Sequence, residues 1–386
     1  MDSAKRSEER GLASVEDDVA GMRVSSRRAL LKFGAAASAG MLLSMSESAM
    51  SLAATPGVTA SSARKVERID IHAHFVPAFY REALAEAGLS TPDGIRAMPA
   101  WDAESTLRVM DKLGVATAML SISSPGVHFG DDAKARALSR RVNEEGHRLV
   151  DAYPGRFGFF ASLPLPDVAG AIAEATYAFD VLRADGVVFE TNQHGIYLGD
   201  PKLDTLYTEL NRRQAVVFVH PTSPACSCSH RLHQQYPQPM LEFMFETTRS
   251  ISDMVLAGAL ERSPDLKVIV PHAGAALPVL LERIELLLPL LGQEGKSMPS
   301  MRDAMRRLHF DLAGAPVPQL LDALLQVADP KRIHYGSDYP FTPAAACEVL
   351  LKKIEATPLL DNKARDAILR TNAHALFPRL ATQLRA

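Results

Sequence analysis

At 386 residues, with 47% apolar and 23% charged side chains, the chain has material for one large domain with an ample core. A formal charge of −3 gives no basis for nucleic acid as a partner, and three cysteines in a chain this long exclude a disulfide framework.

Residues 1–65 read as an address followed by a linker, and 66–386 as the folded domain. Ser26-Arg27-Arg28-Ala29-Leu30-Leu31-Lys32 resembles the bacterial twin-arginine motif, and a weakly apolar run from Phe33 to Met45 follows it. That run is shorter than the roughly 20 residues a helix needs to cross a bilayer, so no stable membrane anchor is expected after processing near Ala53-Ala54. The implied partner is the twin-arginine export machinery, and the implied location is the periplasm or beyond.

From Val66 onward, short β-branched or aromatic runs alternate with helical stretches. The runs predict strands at Arg68–Ile71, Thr117–Ile122, Phe157–Ser162, Gly186–Phe189, Ala215–Val219, Lys267–Val270, Leu308–Asp311 and Ile333–Gly336. Helical spacing shows in Glu104–Leu113 and in Leu277–Leu291, whose wide apolar stripe suits the barrel wall or a subunit interface. Eight such units predict an α/β fold of the (β/α)8 TIM-barrel type, and no glycine-rich phosphate fingerprint follows the first strand to favour an open sheet. Two connections are long, Val76–Glu104 and Pro221–Gln238, and both would emerge at the C-terminal rim where barrel active sites form.

The same rim collects the chemistry. His72 and His74 follow the first strand, and residues two apart on an extended chain share a side. His220 ends the fifth strand, His272 the sixth and Asp338 the eighth. A lone histidine after a strand is usually structural, but five such side chains on one face point to a metal site of nitrogen and carboxylate ligands. That set suits Zn2+, with Mn2+ as the alternative.

Asp-x-His-x-His, His-Pro, His-x-Gly and Gly-Ser-Asp-x-Pro after these strands resemble the amidohydrolase superfamily, and within it the amidohydrolase-related decarboxylases. That group includes the aminocarboxymuconate semialdehyde, resorcylate and methylsalicylate decarboxylases. Ser121-Ile122-Ser123-Ser124-Pro125-Gly126 and Gly195-Ile196-Tyr197-Leu198-Gly199-Asp200 carry the likeness further. It implies metal ligands at His72, His74, His220 and Asp338, with His272 handling protons, and a homodimer. Many hydrolytic members carry a carbamylated lysine at the end of strand four. Here that strand runs into Glu190-Thr191-Asn192, which implies a single ion unless Glu190 bridges two.

The expected activity is non-oxidative decarboxylation of an aromatic or enol carboxylic acid, with His272 and Asp338 as the candidate catalytic groups. Hydrolysis of a lactone, ester or amide needs the same residues and is the alternative; a non-catalytic binding protein on a degenerate barrel is the third reading. For the small-molecule carboxylic acid itself, Arg96 is the expected carboxylate clamp, and Trp101 and Phe341 are expected to hold the ring. Phe75, Phe129 and Arg108 are weaker candidates of the same kind. Cys226, Cys228, His230 and His233 do not match a structural zinc spacing and suit a lid. Cys347 is expected in the core, and His309, His334 and His374 in structural roles.

Overall fold

The computed structural model describes residues 67–226, 236–291 and 298–383. The leader and the Cys228, His230 and His233 cluster lie outside these residues. No helix among the described residues is long and apolar enough to cross a membrane.

Eight parallel strands follow one another around a barrel: β1 Arg68–His74, β2 Val115–Ser121, β3 Phe157–Ser162, β4 Gly186–Glu190, β5 Val216–His220, β6 Lys267–Val270, β7 His309–Asp311 and β8 Ile333–His334. Each pairs with its sequence neighbour, and the ring closes from the chain after β8 back to β1. There Ile71 N donates to Tyr335 O (3.0 Å) and His74 N to Tyr339 O (2.8 Å). Burial on both faces explains why β5 reads as the continuous apolar run Val216-Val217-Phe218-Val219, whereas β1 is equally buried but alternates apolar with polar residues. Inside, Ile69, Ile71, Met119, Phe160, Val188, Phe218 and Ile269 form one cluster, which Leu376, Phe377 and Leu380 of the C-terminal segment join. Phe160 stacks on Phe218 at 5.2 Å and meets Phe377 edge-on at 5.9 Å.

Two expectations need correction. Val76–Glu104 is not a plain loop: it holds helix α1, Ala78–Glu86, which buries Tyr80 and Leu84 one turn apart, and a 3-10 turn at Pro92–Gly94. The spacing of those two residues is too short a signal to register as a helix. The next helix, α2, spans Ala103–Leu113, with the Asp102 carboxylate accepting from Ser105 N (2.7 Å) and Gly114 ending it at φ 64°. The stripe predicted over Leu277–Leu291 is α3, Leu277–Leu287, followed by a 3-10 turn. Leu277 and Leu281 are buried while Val279 and Leu286 are exposed by 65% and 74%, so only one side of the stripe meets the barrel.

Register positions the site. Between Asp70 and Ala73, three steps of β1 pair against the two from Ala118 to Leu120 of β2. Such a bulge re-aims side chains. Here it lets a strand that contributes Ile69 and Ile71 to the interior also bring His72 and His74 to the mouth. The Asp70 carboxylate accepts from the backbone N–H groups of His72 (3.1 Å) and Ser337 (3.0 Å), which ties the irregular stretch to the β8 loop.

Candidate metal centre

His72, His74, His220 and Asp338 each offer a ligand atom, and those atoms all lie within 4.8 Å of one another. His72 Nε2 is 3.1 Å from His74 Nε2, and Asp338 Oδ1 is 3.2 Å from His74 Nε2 and 3.5 Å from His72 Nε2. The three imidazoles are buried. Two ring nitrogens with a carboxylate oxygen between them, packed away from water, form the donor set a divalent ion requires, so the residues present fit such an ion.

The chain places Asp338 by a tight turn. Gly336 admits no side chain, because a Cβ there would sit 2.7 Å from His72 Cβ. Asp338 itself takes φ 59°, a left-handed conformation aspartate tolerates, and its N–H donates to His72 O (2.7 Å). His272 (φ 54°) and Ala273 (φ 56°) adopt the same region after β6, where backbone strain marks a loop held for function. The His272 ring lies 5.2 Å from that of His72, and its Nδ1 is buried without a protein partner.

Behind the ligands stands a layer that sequence reasoning missed. Asp311 ends β7, is fully buried and holds His72 Nδ1 at 2.9 Å. Ser121 Oγ, at the end of β2, meets His74 Nδ1 at 2.9 Å. A strand-end carboxylate was the available signal, since the predicted seventh strand already finished on Asp311.

Burial and charge set the protonation states. Burial opposes a charge on His72, but Asp311 outweighs it and raises the imidazole above its ordinary value. Burial lowers His74, His220 and His272, and the neighbouring imidazoles add to the effect on His220 and His272. Burial alone would raise Asp338, yet the hydrogen bond with His74 and the charge of His72 hold its carboxyl well below the usual range. Burial pushes Asp70 up to about 6, against its hydrogen bonds with Ser337 and His72. Neutral His74 and His220 beside an ionised Asp338 are in the states that bind a metal, and an ion would displace the proton that Asp311 favours on His72.

Outward from the cluster lies a cavity of ≈ 680 Å3. His220, His272 and Asp338 form its metal side, while Ile95, Phe243, Met244, Leu320 and Phe341 supply apolar walls. The Phe341 ring stands edge-on to His74 at 5.4 Å and lines this cavity. Asp93 also lines the cavity and is hydrogen-bonded to Ser223. Arg96 is exposed and Trp101 packs edge-on against buried Phe75 at 6.1 Å; neither lines the cavity, so both expectations fail. Chain alternation turns Ile95 inward and leaves Arg96 outside. No arginine or lysine among the described residues lines this cavity. Phe129 lines a different cavity, beyond the β2 and β4 ends, and Arg108 lies on the exposed face of α2. Cys347 is buried and free, as expected.

The amidohydrolase family model matches residues 69–379. A 6-methylsalicylic acid decarboxylase of Aspergillus aculeatus is 38% identical over 323 residues, covering 81% of this chain and 96% of that protein. A crystal structure described as an amidohydrolase II superposes with a TM-score of 0.76 at 36% identity, over 81% of this chain and all of the other. A dihydroxybenzoic acid decarboxylase of Polaromonas, solved with manganese and 2-nitroresorcinol, shares the fold at a TM-score of 0.70 and 22% identity, over 81% and 97% of the two chains.

Proposed function

Because this chain belongs to the amidohydrolase family, and a relative 38% identical to it is a decarboxylase, we propose that it is a metal-dependent, non-oxidative decarboxylase of a hydroxylated aromatic carboxylic acid. The observation that carries the reading is the cavity itself. Four converging ligand atoms close one end of an apolar slot that no arginine or lysine of the described residues enters. Among the described residues, a carboxylate drawn into that slot would meet positive charge only from an ion held at the ligand cluster.

An ion held by His72, His74, His220 and Asp338 would gather and neutralise a carboxylate and a neighbouring ring oxygen. The protein's own groups do the rest. Phe341, Ile95, Phe243 and Leu320 confine a flat ring and exclude water from it. Decarboxylation forms a C–H bond at the carbon bearing the carboxylate, then breaks the C–C bond, returning that electron pair to the ring and releasing carbon dioxide. The proton needs a mobile carrier. Asp338 is committed, with Oδ1 at His74 and Oδ2 accepting from Thr342 Oγ1 at 3.1 Å. His272 lines the cavity, and its buried Nδ1 has no protein partner that would commit the ring, so we assign proton handling to His272.

Carbon dioxide release from salicylate-type acids by the metal-loaded enzyme tests the function. Release of one carbon dioxide per acid consumed supports it. Cleavage of lactones or esters without carbon dioxide would sink it in favour of a hydrolase. His272→Asn should keep the ion and lose about 100-fold or more in turnover; unchanged turnover would remove His272 from the mechanism. For the metal we propose Zn2+, with Mn2+, which the Polaromonas protein holds, as the alternative that elemental analysis separates.

We also propose that residues 1–65 direct twin-arginine export, which Arg27→Lys with Arg28→Lys should block, leaving the protein in the cytoplasmic fraction. Exposed Val279, Leu280, Leu286 and Leu287 support a homodimer, to be read from the mass in solution.

A further inference from the structure

The outer partners of the ligand imidazoles form a series with one unfinished member. His72 Nδ1 has Asp311 and His74 Nδ1 has Ser121, each at 2.9 Å. His220 Nδ1 is buried with no hydrogen-bond partner. Facing it at 3.6 Å is Glu190 Oε2, itself buried and without one. Two complementary orphan atoms thus stand opposite each other, just outside direct hydrogen bonding.

Their placement follows from the barrel. Glu190 ends β4 and is in register with His220, which ends β5. The Thr191 N–H donates to His220 O at 2.8 Å, which holds the two strand ends together. A third element shapes the slot. Gly126 has φ +73°, and a Cβ there would sit 3.2 Å from Glu190 Cγ and 3.3 Å from Glu190 Oε1. The Tyr80 hydroxyl of α1 donates to Gly126 O at 2.7 Å, fixing that turn over the carboxylate. On the other side of the ring, His220 Nε2 faces Ser123 Oγ at 3.4 Å, and Ser123 lines the cavity at the ligand cluster.

We propose that Glu190 is the positioning residue for His220: its carboxylate accepts the Nδ1–H, which fixes the tautomer that presents the Nε2 lone pair to the metal. The inference rests on the metal-centre reading and deepens it. A histidine ligand that donates its second nitrogen to a carboxylate is both oriented and made more basic. Glu190 does this from behind the ring, so it does not take the place of a bridging ligand, and the converging group among the described residues contains four members without it. A single ion follows.

The test uses the metal-free parent, Glu190→Gln and Glu190→Leu, titrated with Co2+ in competition with a fluorescent chelator. The thermal midpoint of each metal-free protein is measured beside the titration. Glu190 also borders the separate cavity of ≈ 660 Å3 beyond β2 and β4, so truncation opens into existing space rather than sealed core. We expect Glu190→Leu to weaken Co2+ binding by about 10–100-fold, with an altered Co2+ absorption band and a near-parental metal-free midpoint. Glu190→Gln keeps an oxygen acceptor and should lose less. Equal affinity and an unchanged band in Glu190→Leu would overturn the proposal while leaving the metal centre intact. So would equal losses in both variants that track a fall in the metal-free midpoint, because that pattern belongs to a structural role. A parent that binds no Co2+ would overturn the proposal together with the reading beneath it.

Discussion

His72 Nε2 and His74 Nε2 lie 3.1 Å apart, while His309 Nδ1 and His334 Nε2 lie 3.0 Å apart on the same barrel. All four rings are buried, and the two pairs would look alike to any search for neighbouring imidazoles. Their surroundings differ. The first pair has Asp311 behind it, Asp338 between its nitrogens and a cavity in front. The second meets Arg332, whose Nη1 is 2.8 Å from His309 Nε2, and neither ring lines the metal cavity. Burial, with the other imidazole and Arg332 adding to it, pushes His309 down to about 2. Burial takes His334 to about 3. A pair of close imidazoles becomes a metal centre when carboxylates balance the ion and a cavity admits a substrate. Without them it is a neutral packing element.

The largest expected effect separates the pairs by metal content. His72→Ala or Asp338→Ala should lose the ion, and activity should fall about a thousandfold or more. His309→Phe combined with His334→Leu should retain about one ion per chain by emission analysis. Loss of the ion in that double variant would erase the distinction.

A second effect reads the neutral pair through acid stability. A histidine whose folded pKa is depressed stays neutral while the unfolded chain takes up its proton. Stability from that group is therefore complete above the unfolded value near 6.5 and is lost as pH falls toward about 3 for His334 and about 2 for His309. Each imidazole can contribute up to about 1.4 kcal/mol per pH unit over that window. Urea unfolding at pH 6.5 and 5.5 should show the parent losing up to about 2 kcal/mol more than the double variant, because the unfolded imidazoles are only half protonated at pH 6.5. Parallel losses would show that the pair takes up protons in the folded protein.

Smaller again is the effect of the layer behind the ligands. Asp311→Asn leaves all four ligands in place but takes the charge from behind His72, and metal affinity should drop about 10–100-fold by chelator competition. An unchanged affinity would mean that Asp311 serves only the fold, through the His272 and Ala313 backbone N–H groups it also accepts.

Why the sequence reveals the ligands but not this layer is a matter of geometry. Strand periodicity places His72, His74, His220 and Asp338 at strand ends, and a parallel barrel sends every strand end to one rim. β3 and β6 match the predicted bounds because turns flank both runs. The bulge in β1 is invisible, since it depends on pairing with β2 rather than on β1 alone. Asp311 and Glu190 acquire their meaning only when β7 closes against His72 and β4 against His220.

Arg96 marks where that reasoning stops. A carboxylic acid substrate calls for a bidentate cation, and Arg96 lies in the long first connection, so residue type and position both recommended it. In the fold, one residue decides the matter: Ile95 lines the cavity, and Arg96 points to solvent. A solvated guanidinium outside the slot cannot fix a carboxylate within it, and screening by salt removes most of its long-range pull. Arg96→Ala should therefore change KM by less than about twofold at physiological ionic strength, the smallest effect among these variants. A KM rise of tenfold or more, with kcat unchanged, would mean that the first connection closes over bound acid and brings Arg96 with it. Positive charge in the slot would then have a source besides an ion at the ligand cluster.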